Sequence, residues 1–221
     1  MLLHDGTNGL KLGGTLVTTT AAELNLLDGD TSVGSSITIA DADGFVVNDG
    51  GTMKTIPATD ISDYAGGGIT EYDCWRLTAD ISATNADITA NLERCDDTSF
   101  EKIGTGMSES SGIFSFPSTG KWLVGARAEI IAAQDDNTFF YLYITVDNSS
   151  YTFAVRTGNT NLGGDSTDGQ GFSSLEYLLD VTDVSNVKCK FATGSFAAGS
   201  SLLGDTDENW TYMTFMRMGD T

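Results

Sequence analysis

A chain of 221 residues carrying 31 Asp and Glu against 11 Lys and Arg, for a formal net charge of −20, can bury a sizeable core. It is too acidic to hold nucleic acid or an anionic membrane surface. With 26 Gly and 2 Pro, and aromatic and β-branched residues in short runs parted by Gly, Asn, Asp and Ser, the composition predicts an all-β fold. No apolar run is long enough to span a bilayer. The N-terminal MLLHDGTNG has neither the basic region nor the hydrophobic stretch of a secretory signal, so synthesis in a cytoplasm is expected.

From Leu2 to Gly68 the chain reads as short pieces joined by turns. Leu10 to Val17 predicts a short strand. In TTTAAELNLLDG, Thr20 and Glu23 form a capping box, Leu24 and Leu27 share a face and Gly29 ends a helix of two or three turns. SSITIADADGFVVNDGG alternates Ile37 and Ile39 into a DADG turn and then runs Phe45, Val46 and Val47 into NDGG, which is hairpin chemistry. PATDISDYAGGG predicts a further helical turn ending in a flexible joint at Gly66 to Gly68. These pieces hold too few large apolar residues for a monomeric core, and intertwining with other copies would supply the missing burial.

TAAELNLLDG followed by ADGFVVNDGGTMK resembles segments that recur in tail-fibre and other structural proteins of bacteriophages. The resemblance covers about Thr15 to Ala65. It implies a trimeric shaft or attachment module that binds other tail or virion proteins.

From Glu71 onward large apolar residues become frequent and strands regular: Tyr72 to Thr78, Gly112 to Phe116, Lys121 to Ala132, Thr138 to Asp147, Tyr151 to Arg156, Ser173 to Val181, Val187 to Thr193 and Trp210 to Met218. This spacing is that of a sandwich or barrel. GIFSFPSTGKWLV, LEYLLDVTDVSNVKCKF and the closing TYMTFMRMG resemble the C1q and tumour-necrosis-factor jelly roll. That resemblance implies a homotrimer in which the strands beginning at Tyr72, Trp210, Lys121 and Ser173 form the inner sheet and the other four the outer sheet. The last strand is apolar on both faces, Tyr212, Thr214, Met216 and Met218 on one and Met213, Phe215 and Arg217 on the other. One face is expected in the sandwich and one at the trimer axis, with Trp122, Tyr212, Phe215 and Met216 as interface residues. Arg217 must then pair, with a neighbouring chain's carboxylate or the C-terminus.

Alternating strands place the short connections PSTG, DNSS and TDVSN at the shaft end. The long ones, Ala79 to Ser111, Thr157 to Phe172 and Gly194 to Glu208, fall at the free tip together with AAQDDN. Long polar loops gathered on a rigid scaffold read as a recognition surface. The candidate contacts are Asn159, Asn161, Asp165, Asp168, Gln170, Asp205, Asp207, Glu208, Asn209 and Trp210, since amides and carboxylates bond sugar hydroxyls and an aromatic ring stacks on a sugar. Taken singly they are also ordinary solvated turn residues, and only their clustering favours recognition. Asp41 with Asp43, and Asp205 with Asp207, offer hard oxygens suited to Ca2+, although neither pair matches an EF-hand loop; no other cofactor is expected.

The three cysteines, Cys74, Cys95 and Cys189, lack metal-ligand spacing and read as reduced, buried small hydrophobes. The single histidine, His4, lies in the N-terminal segment, so a Ser-His-Asp triad or a His-ligated zinc site in the main domain is excluded. Paired carboxylates for glycoside hydrolysis stay open, because that pairing is spatial. Phage depolymerases resemble long parallel β-helices, and no such repeat is present here. The expectation is a non-enzymatic, all-β homotrimer of the virion, with residues 1–68 as intertwined shaft segment and 69–221 as a ten-strand-type jelly-roll head. It would attach to a host-surface glycan or protein. The alternatives are a head or tail decoration protein and a glycan-cleaving depolymerase.

Overall fold

The structure, a computed structural model, describes residues 11–16, 38–65, 68–161 and 168–221. The helix expected over Thr20 to Gly29, the strand ends Leu10 and Val17, Ile37, His4 and Asp165 lie outside the described residues. The chain divides into two compact units, Met1–Tyr64 and Ala65–Thr221.

In the first unit, β1 (Lys11–Leu12) and β2 (Thr15–Leu16) pair across Gly13 and Gly14. β3 (Gly44–Asp49) and β4 (Thr52–Pro57) form a hairpin with Asp49 opposite Thr52. Its two-residue loop needs positive φ at both positions, and Gly50 and Gly51 supply it at 56° and 93°. The hairpin therefore turns at NDGG. DADG is a separate turn in which Asp43 accepts the Ala40 N–H at 2.8 Å, and Ile39 joins no strand. The helix α1 (Ala58–Ala65) follows Pro57, with Asp60 in its first turn where the helix dipole favours a carboxylate. Val46, Met53 and Tyr64 are all exposed, as a segment short of its own core requires.

The second unit is a two-sheet antiparallel sandwich. β5 (Tyr72–Leu77), β10 (Gly120–Ala132), β13 (Gly169–Val181) and β16 (Tyr212–Gly219) pair in the order β13-β10-β16-β5. β9 (Ile113–Ser115), β11 (Asn137–Thr145), β12 (Thr152–Thr160) and β14 (Lys188–Gly194) build the other sheet in the order β12-β11-β14-β9. This is a jelly roll, and its division of strands is the one that the C1q and tumour-necrosis-factor resemblance implies.

The connection from Ala79 to Ser111 does not stay at the tip as expected. Within it β6 (Ile81–Ser82) pairs with β15 (Ser201–Leu202) at the tip, and β7 (Leu92–Arg94) then descends along β5. β8 (Ser108–Ser110) lines β9. β7 and β8 thus cover one edge of each sheet, where unpaired backbone would otherwise stand open.

Aromatic residues join the sheets. Phe114 of β9 lies 5.5 Å edge-on from Trp75, 5.0 Å from Phe215 and 5.9 Å from Phe191, while Phe116 packs 5.1 Å from Trp122. Trp122 and Phe215 are therefore core residues, fully enclosed within a single protomer. Their expected place at a trimer interface is corrected: strand alternation sends them inward, and Tyr212 and Met216 face outward. Arg217 pairs within its own chain, with Asp220 and, at 2.9 Å, the Thr119 carbonyl. Truncating so large a buried ring costs about 3 to 5 kcal/mol. Phe215→Ala is expected to lower unfolding stability by that amount in urea titrations followed by circular dichroism, whereas an interface role would leave the protomer's own fold nearly unchanged.

Candidate functional site

At the tip, two of the expected recognition residues serve the fold. Asn159 donates from Nδ2 to the Ile130 and Gly169 carbonyls, both at 3.2 Å, and Asn161 donates to the Ala132 carbonyl at 3.2 Å. A Cβ on Gly171 would sit 3.1 Å from Asn159, and one on Gly169 3.2 Å from Asn161. The sequence pair Asn-x-Asn and Gly-x-Gly is thus a clasp between β12 and the β10–β13 pair. Much of the expected loop from Thr157 to Phe172 is strand, because β12 runs on to Thr160 and β13 begins at Gly169.

The other tip residues divide between structure and surface. Gln170 is exposed and donates to Glu129 at 2.9 Å; Asp168 is also exposed. Asp205 accepts the Asp207 and Glu208 N–H groups at 2.7 and 3.0 Å, which closes its own turn. Half-buried Trp210 donates to Glu208 at 2.7 Å. Among the described residues, no three Asp, Glu, His or Cys side chains converge as metal ligands. Asp136 organises the tip beneath: it accepts from the Asn137 and Ala197 N–H groups, at 2.8 and 2.9 Å, and from the Ser200 hydroxyl. Burial works against its charge, but the Ser200 and backbone hydrogen bonds outweigh it and hold the carboxyl below the usual range.

Two buried ionic groups fix β5. Asp73, wholly buried, accepts from the Trp75 indole at 2.9 Å, the Met107 N–H at 2.7 Å and the Arg94 guanidinium at 2.9 Å. On the opposite face Arg76, also buried, meets Glu93 at 2.8 Å, Asp96, and Asp97 at 3.5 Å. Burial opposes the Arg76 charge, but hydrogen bonds and attraction from Glu93 and then Asp96 raise its pKa above the ordinary value.

Two surfaces remain open. On the outward face of the β13-β10-β16-β5 sheet, register aligns Leu178, Leu123, Met216 and Tyr72 in one row, with Leu178 60% exposed. Above that row, Gly125, Arg127, Phe172, Glu176, Tyr212 and Thr214 line a groove of about 270 Å³. Arg127 lies 4.3 Å over the Phe172 ring, and its Nε is buried with no hydrogen-bond partner among the described residues.

On the outward face of the other sheet is an aromatic ladder that sequence reasoning missed. Phe139, Tyr141 and Tyr143 of β11 follow one another at 5.9 Å, and Phe153 of β12 lies 5.8 Å from Tyr141. Arg156 stands 4.1 Å over Phe139, and Lys190 4.4 Å from the Tyr151 ring. A Cβ on Gly194 would come within 2.4 Å of Tyr141, so glycine there makes room for the ring. The signal was present in FFYLY, where the i, i+2 aromatics Phe139, Tyr141 and Tyr143 alternate with the core residues Phe140 and Leu142.

No protein-family model and no curated protein matches the chain. Among solved structures it is similar to Eiger TNF from S. frugiperda, at 11% identity and a TM-score of 0.49 over 68% of this chain and 93% of that one. It is likewise similar to murine APRIL at pH 5.0, at 11% identity and a TM-score of 0.47 over 67% and 98%. Murine APRIL at pH 8.0 gives 10% identity and a TM-score of 0.45 over 67% and 98%. The jelly-roll assignment rests on the strand order itself.

Removing a half-buried amide that satisfies two carbonyls costs about 1 to 3 kcal/mol. Asn159→Ala is expected to lower thermal stability by that order, measured by calorimetry; an unchanged midpoint would return Asn159 to the surface.

Proposed function

We propose that this chain is the homotrimeric attachment head of a bacteriophage tail fibre, a non-enzymatic binding protein that holds the virion to a host-surface glycan. The observation that carries the trimer is the outward row Leu178, Leu123, Met216 and Tyr72. In a chain of net charge −20, an apolar row running across four strands of a sheet is best covered by the same row of other copies. The resemblance over Thr15 to Ala65 supports a place in the virion, with the N-terminal segment engaging other tail proteins. Exposed Val46, Met53 and Tyr64 suit such intertwining.

Receptor contact belongs on the surfaces a trimer through that sheet leaves free. The aromatic ladder offers flat rings for sugar stacking, and Phe153 is 53% exposed. Asp168, Gln170, Asp207 and Trp210 at the tip supply polar groups able to meet sugar hydroxyls. The three copies in one head bind with avidity, because the second and third contacts form at high effective concentration.

The test is adsorption. Purified wild-type chain is expected to block adsorption of virions carrying it to their host cells, and Tyr141→Ala combined with Phe153→Ala to block at least tenfold less well while keeping the wild-type circular dichroism spectrum. Full adsorption at saturating wild-type chain would favour the decoration role, and release of reducing sugar ends from host polysaccharide would favour the depolymerase.

A further inference from the structure

Cys74 and Cys95 are not isolated small hydrophobes. Register places Trp75 opposite Arg94, and the next pair outward is Cys74 and Cys95, joined by a Cys95 N–H to Cys74 carbonyl bond of 2.9 Å. Opposed antiparallel residues have Cα atoms about 4.5 to 5.5 Å apart, within the span of about 4.4 to 6.8 Å that a disulfide needs. The two Sγ atoms lie 2.8 Å apart, and both cysteines are free thiols.

We propose that Cys74 and Cys95 are a peroxide-oxidisable dithiol that closes to a cross-strand disulfide, fastening the Leu92 to Asp97 segment onto β5. The surroundings divide the roles. The hydrogen bond with Cys74 and the nearby Arg76 charge hold the Cys95 thiol below its ordinary range, against burial and the Asp97 carboxylate. The bond to Cys95 and burial push Cys74 up. Asn209 Oδ1 lies 3.3 Å from the Cys95 sulfur and 3.4 Å from Arg76.

The Arg76 guanidinium, which shares Asn209 Oδ1 with Cys95, makes Cys95 the attacking thiolate and Cys74 the resolving thiol. The Cys95 thiolate takes one oxygen from hydrogen peroxide, becoming the sulfenic acid as the O–O bond breaks and hydroxide leaves. The Cys74 sulfur then attacks the Cys95 sulfur, the S–O bond breaks, and water leaves with the Cys74 proton. Two sulfurs are oxidised by two electrons in total, and one peroxide is reduced. Cys74 is 7% and Cys95 4% exposed, so the oxidant has to be as small as peroxide. Cys189 is wholly buried in the core, where desolvation raises its pKa; it provides an internal control.

The full chain is treated with hydrogen peroxide or with dithiothreitol, denatured, alkylated with iodoacetamide and weighed by mass spectrometry. One adduct is expected after peroxide and three after reductant. Trypsin cuts after Arg76 and Arg94, so the peptide ending at Arg76 and the one beginning at Cys95 should appear joined and separate on reduction. Three adducts, two adducts, or a link to Cys189 after peroxide would each overturn the proposal. In Cys74→Ser the sulfenic acid cannot resolve, so dimedone should label Cys95 on peroxide treatment. Failure of that label would overturn the order of attack.

Discussion

The sandwich depends on the contact of Phe114 with rings from both sheets. Phe114 belongs to β9, yet it touches Trp75 and Phe215 of the facing sheet and Phe191 of its own. Phe140, stacked 5.5 Å from Phe191, extends the cluster through the second sheet. Such pairs contribute beyond their buried area. Because β16 sends Met213 and Phe215 into this cluster, Tyr212, Thr214 and Met216 must project from the other side. The outward surface that invites a second copy is thus set by the packing inside.

Charge is used with the same economy. Of the few basic side chains, Arg94 neutralises a carboxylate sealed within the sandwich, and Arg76 is buried among three acids of β7 and the segment that follows it. Breaking such a pair leaves an uncompensated buried charge. These pairs explain why the long connection after β5 descends along the sheet edge: Glu93, Asp96 and Asp97 are held by Arg76, and Met107 is held by Asp73. The Cys74–Cys95 pair lies between the two ionic groups and joins the same two stretches of chain.

The strands were legible because their period-two alternation is strong, as in Trp122, Val124, Ala126, Ala128 and Ile130 of β10. Trp122 and Phe215 were misplaced because strands apolar on both faces carry no mark of which side is the core. Only the facing sheet decides that. Asn159 and Asn161 read as solvated turn amides, since their acceptors, the carbonyls of Ile130, Ala132 and Gly169, are chosen by folding and carry no side-chain signature. The descent of β7 and the meeting of Cys74 with Cys95 likewise depend on long-range pairing. The aromatic ladder was in plain view in FFYLY, but aromatic residues at alternate strand positions look the same whether they face a core or solvent.

In the proposed trimer the outward face of the β13-β10-β16-β5 sheet is covered by other copies of the chain. Sedimentation equilibrium of the full chain tests it most directly. A mass three times the 23.3 kDa of one chain, constant over the concentration range, is expected. A mass of one chain throughout that range would contradict it.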